Sequence, residues 1–524
     1  MHCSCVRQTD LPNTTRLFAD VLYHPDRTAA FYPFPIRDLN SYRAAAQAID
    51  LPADRRNALI AALQVQNPAG PALDRLARPG TVAVVTGQQV GLFSGPCYTI
   101  YKVLHAVKLA AWLTENGIDA VPLFWLATED HDFAEVNHAW VFDAAHRPRK
   151  IEMRRSASEQ PVGDVTLTAP PVNELRAAME GLPFADDVAH LVQETYRAGS
   201  TMGQAFGALL RRLIEGFDVL YVDPMLPAFR ELAAPTLRAA GEAAPALTER
   251  ILRRNRDLTD AGYHAQVHVE DHTSFVFLLE NGKRLGLRRT GQDYVHNSRR
   301  FTSRELMDRA ASLSPNAILR PVIQDSMLPT VAYIGGPAEI AYLAQSEVVY
   351  RTLLGRMPVA VPRTGFTVLD ARSEKLMARY ALTLGDFFQG ETTLRERMAS
   401  RLIPPALSTR MLETTAAIDT AVSRLYGEMR DFDPTLGRAL EHSSKKIRYQ
   451  IDKMAHKAGR EAMRREDRAS SDASYLSGLI YPERHLQERL YSVLPLLAQH
   501  GLDLVTKIYD AIELDCPDHR LMVV

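Results

Sequence analysis

Four ionisable residues in a row, Glu129-Asp130-His131-Asp132, follow the apolar run Val121-Pro122-Leu123-Phe124-Trp125-Leu126-Ala127. Carboxylates and an imidazole at that density shift one another's proton affinities, which suits general acid–base work or Mg2+ coordination. Glu135 and His138 close behind would also admit a transition metal. A helix cap followed by a solvated loop is the plainer explanation of the same residues. Upstream, Gly87, Gly91 and Gly95 recur every four residues after the run Val82-Ala83-Val84-Val85, with Thr86, Gln88, Gln89 and Ser94 among them. Glycine lets backbone N–H groups approach a phosphate, and a helix N-terminus favours negative charge. Lys102, a turn into the helical pattern that follows, is placed to reach such a phosphate. The spacing is neither the dinucleotide pattern nor a P-loop, because the closing Gly-Lys-Ser/Thr is missing. A tight strand-to-helix connection would use the same glycines. Further along, Arg320 is a candidate clamp for a carboxylate or phosphate, with Asn316, Gln324 and Glu339 as further substrate-binding candidates.

These residues need a scaffold, and the patterning predicts one. Val82–Val85 reads as a buried strand, and Thr86 to Pro96 as a loop. A helix follows from Tyr98 to about Asn116, with Ile100, Val103, Leu104, Val107 and Ala111 on one face. Val121–Ala127 is a second strand, so the acidic cluster falls beyond a carboxyl strand end, where open α/β sheets bind ligands. Asp218–Val222, Leu319–Asp325 and Pro329–Gly336 continue the core. Two inserts interrupt it, at about 141–180 and 262–310. Short strands are expected at Arg149–Met153 and Gly163–Thr168 in the first. The second holds a hairpin turning on Asn281-Gly282. Gly336-Pro337 opens another helix and echoes Gly95-Pro96, so the two helix starts could face one pocket, although Gly-Pro punctuates many helices.

After about residue 395 the period changes. Met411, Thr415, Ile418, Val422, Leu425 and Met429 keep four–three spacing, as do Leu436, Leu440, Ile447, Ile451, Met454 and Ala458 apart from one seven-residue step. That is a coiled-coil seam. Asp433-Pro434 supplies a turn between two long antiparallel helices, and so narrow a seam suggests a homodimer. The expected units are a core at 1–394 carrying both inserts, the coiled coil at 395–474 and a helical return at 475–524.

Composition narrows the class. The 524 residues are 46% hydrophobic and 23% charged, with a formal net charge of −1. This is a globular composition with no global field for nucleic acid or an anionic membrane. Between 438 and 468, ten lysines and arginines stand against five acids. An RNA-binding or scaffolding arm would use that surface, but interleaved acids and scarce aromatics describe a solvated helix face. No stretch reaches the roughly 18 apolar residues of a membrane span. The four cysteines, Cys3, Cys5, Cys97 and Cys516, are too sparse for a stapled fold, and a reducing cytoplasm is the simplest expectation. Cys3-Ser4-Cys5 lacks the partner pair that a metal site wants.

Several of these motifs together resemble one family. Thr86-Gly87-Gln88-Gln89 with Gly91, Gly95-Pro96, Tyr98-Thr99 and Lys102 belong to the resemblance. So do Phe124-Trp125, Glu129-Asp130-His131-Asp132-Phe133 and Asn137-His138. Later come Ser314-Pro315-Asn316, Arg320-Pro321, Gln324, Gly335-Gly336-Pro337, Glu339-Ile340, Tyr342, Tyr481-Pro482 and Gln487-Glu488-Arg489. In this set the chain is similar to the bacillithiol biosynthesis cysteine-adding enzymes (BshC). The resemblance implies a Rossmann-like, mainly parallel core with two inserted subdomains and a C-terminal antiparallel coiled coil that mediates dimers. It implies a ligase joining cysteine to glucosaminyl-malate to form bacillithiol. ATP, with Mg2+, would activate the cysteine carboxylate, and no tightly bound cofactor or nucleic acid is expected. Gly87, Gly91, Gly95 and Lys102 would cradle phosphate, Gln88, Gln89 and Ser94 would orient it, and Asp130, His131 and Asp132 would serve acid–base or Mg2+ roles. Such cores are also similar to class I aminoacyl-tRNA synthetases, whose His-x-Gly-His motif is replaced here by Phe93-Ser94-Gly95-Pro96. A nucleotidyl transferase with another acceptor is the alternative enzyme.

Overall fold

The computed structural model describes residues 2–153, 159–466 and 468–524. Residues 154–158 of the first expected insert therefore lie outside the described residues. A short strand, β1 (His2–Val6), precedes a helical lead-in, and the central sheet then begins with β2 (Val82–Gln89). Helix Tyr98–Glu115 leads to β3 (Ala120–Ala127). A two-stranded insert, β4 (His138–Phe142) and β5 (Pro148–Glu152), comes before β6 (Leu220–Val222). The second insert contributes β7 (Thr273–Glu280), β8 (Lys283–Thr290), β9 (Asp293–His296) and β10 (Arg299–Phe301), an antiparallel meander that β11 (Leu313–Pro315) completes. The core resumes with β12 (Thr330–Gly335) and β13 (Val359–Pro362). Outside it, β14 (Phe366–Leu369) joins β15 (His519–Val523), which pairs in turn with β1.

The central sheet is parallel throughout, in the order β13-β12-β2-β3-β6. By order of appearance among these five strands, that is the doubly wound Rossmann order, and the strand order reverses between β2 and β12. Both faces are covered, which is why the strands read as unbroken apolar runs. Val82 and Val84 pack under the helix Tyr98–Glu115 with Ala106, Leu109 and Leu113. Ala83 and Val85 face the opposite core with Phe229, Leu237, Ile340 and Leu343.

Three local expectations need correction. β2 does not break after Val85. It stays paired with β3 through Gln89, with Gly87 opposite Trp125. Residues 320–327 form a helix with Pro321 in its first turn. The strand expected at Gly163–Thr168 is instead a short helical turn at Val162–Asp164 plus one bridge, Thr166 to Thr201.

Helices Pro405–Phe432 and Pro434–Arg465 form the long hairpin, with Asp433 capping the second through Thr435 N–H at 2.6 Å. No residue of the first helix is buried in the isolated chain. Arg448 of the basic stretch is tied to Asp419 across the hairpin at 2.7 Å. Beyond it, residues 469–523 fold back onto the core. Ser492 donates to Phe93 O at 2.9 Å, and Cys97 N–H donates to Tyr491 O at 2.7 Å.

Candidate active site

A cleft of about 630 Å³ opens at the carboxyl ends of β2, β3 and β12. This is the topological switch point of the sheet, where diverging loops leave a crevice. Its volume suits a ligand of nucleotide size. One wall is the strand end Ala127–Asp132, and the other is the helix start Gly336–Glu339 with Arg320 and Tyr342.

The acidic wall is held by its own hydrogen bonds. Asp130 accepts from His131 N–H at 2.7 Å and from Gln89 Nε2 at 2.8 Å, and Arg284 lies 3.5 Å from its carboxylate. Burial alone would raise this carboxyl. The Gln89 hydrogen bond, the Arg284 charge and the backbone N–H groups hold it below the ordinary aspartate value. His131 lies against the ring of Phe277 and meets Arg284 Nη1 through Nδ1 at 3.0 Å. A guanidinium only donates, so Nδ1 is the acceptor and the ring proton sits on Nε2. Burial, then the Arg284 charge, lowers the proton affinity of His131. The imidazole is therefore fixed as a neutral N–H donor. Glu129 is buried and accepts from Arg230 at 3.3 Å and Ser314 at 2.8 Å. Asp132 caps the turn Phe133–Val136 through Glu135 N–H at 3.3 Å.

The opposite wall is centred on Glu339. Its carboxylate accepts from Gly336 N–H at 2.8 Å, Tyr333 OH at 2.7 Å and Lys102 Nζ at 2.7 Å. Burial would raise Glu339, but the Lys102 ammonium and these donors hold it low. Arg320 donates to Gln324 Oε1 at 3.0 Å and to the hydroxyls of Tyr333 and Tyr342 at 3.1 and 2.9 Å. All three partners are neutral, so its charge has no carboxylate partner among the described residues. Arg363 is different, clamped by Glu488 at 2.8 and 2.6 Å. The side chain of Arg489, exposed at the mouth, has no hydrogen-bond or ion-pair partner among the described residues. The cleft thus sets two guanidiniums without carboxylate partners, Arg320 and Arg489, against Asp132, Glu135 and the Asp130–His131 pair.

The expected phosphate cradle is not assembled in one place. Gly87 lies inside β2, where an added Cβ would sit 2.8 Å from Trp125 O, so close strand packing explains this glycine. Its carbonyl accepts from Lys102 Nζ. Lys102 is fully buried, with its ammonium spent on Gly87, Gln88 and Glu339, so it braces the wall from beneath. Ser94 is fully buried, with its hydroxyl 3.5 Å from that of Ser492, and lines no part of the cleft. Gln324 is also buried and serves Arg320 from behind. Asn316 reaches the cleft edge, but its side chain caps Ile318 and Leu319 N–H at 3.1 and 3.0 Å. Gly91 and Gly95 line a neighbouring cavity of about 510 Å³, which shares Gln88, Gln89, Tyr98, Glu135 and Arg489 with the main cleft. The two Gly-Pro helix starts therefore face two adjoining spaces.

The sequence reasoning missed Arg284, Tyr333 and Arg363 altogether. Arg489, Tyr342 and Trp125 enter the sequence reading as members of the shared motifs, without a site role. Arg284 sits on β8 of an insert, and nothing local to it signals a cleft. Among the described residues no three ligating side chains converge as a metal cage. Both oxygens of Asp130 are already engaged, so these residues do not fit a preformed Mg2+ site.

Comparison with known proteins agrees with this architecture. Residues 1–364 match the family described as "Bacillithiol biosynthesis BshC, N-terminal Rossmann-like domain", and residues 366–523 match its "C-terminal coiled-coil domain". A protein of Solibacter usitatus named "Putative cysteine ligase BshC" is 74% identical over all of both chains. Relatives of the same name in Koribacter versatilis and Salinibacter ruber are 35% and 30% identical, over 99% and 97% of this chain and 99% and 96% of theirs. The chain belongs to the BshC family of bacillithiol biosynthesis and is classed with its ligases.

Proposed function

We propose that the cleft joins the carboxylate of cysteine to the glucosamine amine of glucosaminyl-malate, with ATP as activator. The observation that carries this reading is the bipolar cleft, two guanidiniums without carboxylate partners facing a carboxylate–imidazole wall. Amide formation needs both halves. The cysteine carboxylate oxygen attacks a phosphorus of ATP, giving an adenylate and pyrophosphate or an acyl phosphate and ADP. The amine then attacks the carbonyl carbon and expels AMP or phosphate. Arg320 and Arg489 meet the anionic groups. The Nε2–H of His131 donates to oxygen as charge develops there. Asp132 and Glu135, which lack cationic partners among the described residues, receive the proton lost by the amine. The reading extends to a cytoplasmic homodimer paired through the coiled coil.

Purified protein incubated with ATP, cysteine and glucosaminyl-malate tests this by mass spectrometry. The expected product is bacillithiol, and AMP or ADP in the same reaction identifies the activated species. Failure to form bacillithiol with any metal or added protein fraction overturns the reading. Transfer of the nucleotidyl group to another acceptor would support the synthetase-like alternative.

A further inference from the structure

Outside the cleft, two thiols meet where β1 approaches the segment before β15. Cys5 on β1 and Cys516 in the turn before β15 place their sulfurs 3.6 Å apart. Cys5 is exposed and Cys516 half-buried. Cys5 is also held by a neighbouring guanidinium. Cys5 stands opposite Arg520 in the antiparallel β1–β15 register. Arg520 Nη1 lies 3.3 Å from Cys5 Sγ, and the same guanidinium is gripped by Glu513 at 2.8 and 2.5 Å. A disulfide needs its sulfurs about 2.05 Å apart. The remaining approach of roughly 1.5 Å is within the reach of side-chain rotation at an exposed edge strand.

We propose that Cys5 and Cys516 form a reversible thiol–disulfide site that reacts with low-molecular-weight disulfides and fastens β1 to the segment before β15. One protein thiolate attacks the small disulfide, and a protein–small-molecule S–S bond forms as one small thiol leaves with the electron pair and takes up a proton. The second protein thiolate attacks the protein sulfur of that mixed disulfide, and the second small thiol leaves. Two protein thiols are oxidised and one small disulfide is reduced to two thiols. A small thiol in excess runs the exchange backwards. Burial and the Cys516 contact push the Cys5 thiol above its ordinary value, and the neighbouring Arg520 guanidinium opposes them. The inference does not depend on the ligase reading.

The test uses the full chain, reduced, freed of reductant and incubated with glutathione disulfide. Tryptic peptides are then read by mass spectrometry without reduction. The expected species joins the peptide ending at Arg7 to the peptide 508–520, two hydrogens lighter than the two thiol peptides, and dithiothreitol reverses it. Cys3→Ser still forms the link. Cys5→Ser stops at a glutathione adduct on Cys516. The melting temperature of the wild-type chain rises by several degrees on oxidation, and that of Cys5→Ser does not. Cys97, fully buried, stays unmodified until the protein is denatured and serves as the internal control. The proposal is overturned if Cys5 and Cys516 remain alkylatable, if only mixed disulfides accumulate in the wild type, or if the link runs through Cys3.

Discussion

His131 owes its character to a residue 153 positions away. Burial lowers the proton affinity of the ring, and the Arg284 guanidinium at Nδ1 lowers it further. Any step that uses the neutral ring is therefore available above that lowered value and is lost as pH falls through it. Replacing Arg284 by Met removes the cation and leaves burial opposed by the carboxylates of Asp130 and Asp132. His131 then titrates higher, and the acid limb of the kcat/KM profile moves to higher pH. An unmoved limb would detach His131 from the rate. Changing His131 to Ala should cost roughly 100-fold or more in product formation with the melting temperature preserved, the usual scale for a lost hydrogen-bond donor to a developing oxyanion. Lys102 behaves in the opposite way. Its fully buried ammonium pairs with Glu339, and Lys102→Met strands that carboxylate, so urea unfolding should show a loss of about 3–5 kcal/mol. A loss below 1 kcal/mol would place the pair in solvent. The acidic wall was legible because four charges directly follow a buried strand. Arg320 was legible too, as a clamp, but Arg284 and Arg489 were not, because they reach the cleft from distant parts of the chain.

The elements explain why the glycines misled. Gly87 suggested a phosphate loop, yet the strand runs on beneath it and the missing side chain makes room for Trp125. Gly87→Ala puts a methyl against backbone that cannot move without parting β2 from β3. It should destabilise by about 1–3 kcal/mol, seen as a lowered denaturation midpoint with an unchanged slope. A variant of full stability with weakened ATP binding would restore the phosphate reading. The strand-to-helix succession was legible from its apolar periods. The extent of β2 was not, since Thr86-Gly87-Gln88-Gln89 has the composition of a loop and becomes strand only by pairing with β3. The helix at 320–327 shows the same limit. Its apolar residues are buried as a strand's would be, and only the tertiary arrangement separates the two.

At the scale of the whole molecule, the coiled-coil seam stays partly uncovered. Seam residues Leu425, Leu436, Ile447 and Met454 remain 46, 38, 40 and 57% exposed after the two long helices have packed on each other. Seam positions that the hairpin does not cover fit the homodimer proposed above. Leu425→Glu with Ile447→Glu should convert a dimer to a monomer in light scattering, and a mass unaffected by the change would sink the dimer. The heptad spacing made this hairpin legible, because its contacts are local in sequence.

The three-stranded sheet outside the core pairs residues 2–6 with residues 519–523, and this has a bearing on how the chain is made. A ribosome adding roughly 5–20 residues each second needs about 25–100 s to travel between those strands. Throughout that interval β1 has an unpaired edge, and the loop after β2 lacks the closure that Tyr491 and Ser492 provide. A nascent chain therefore carries its acidic wall and its glycines long before Arg489 arrives at the cleft mouth. The enzyme becomes competent late in its own synthesis, and a chain cut short before residue 487 would be complete in its central sheet yet open at its site.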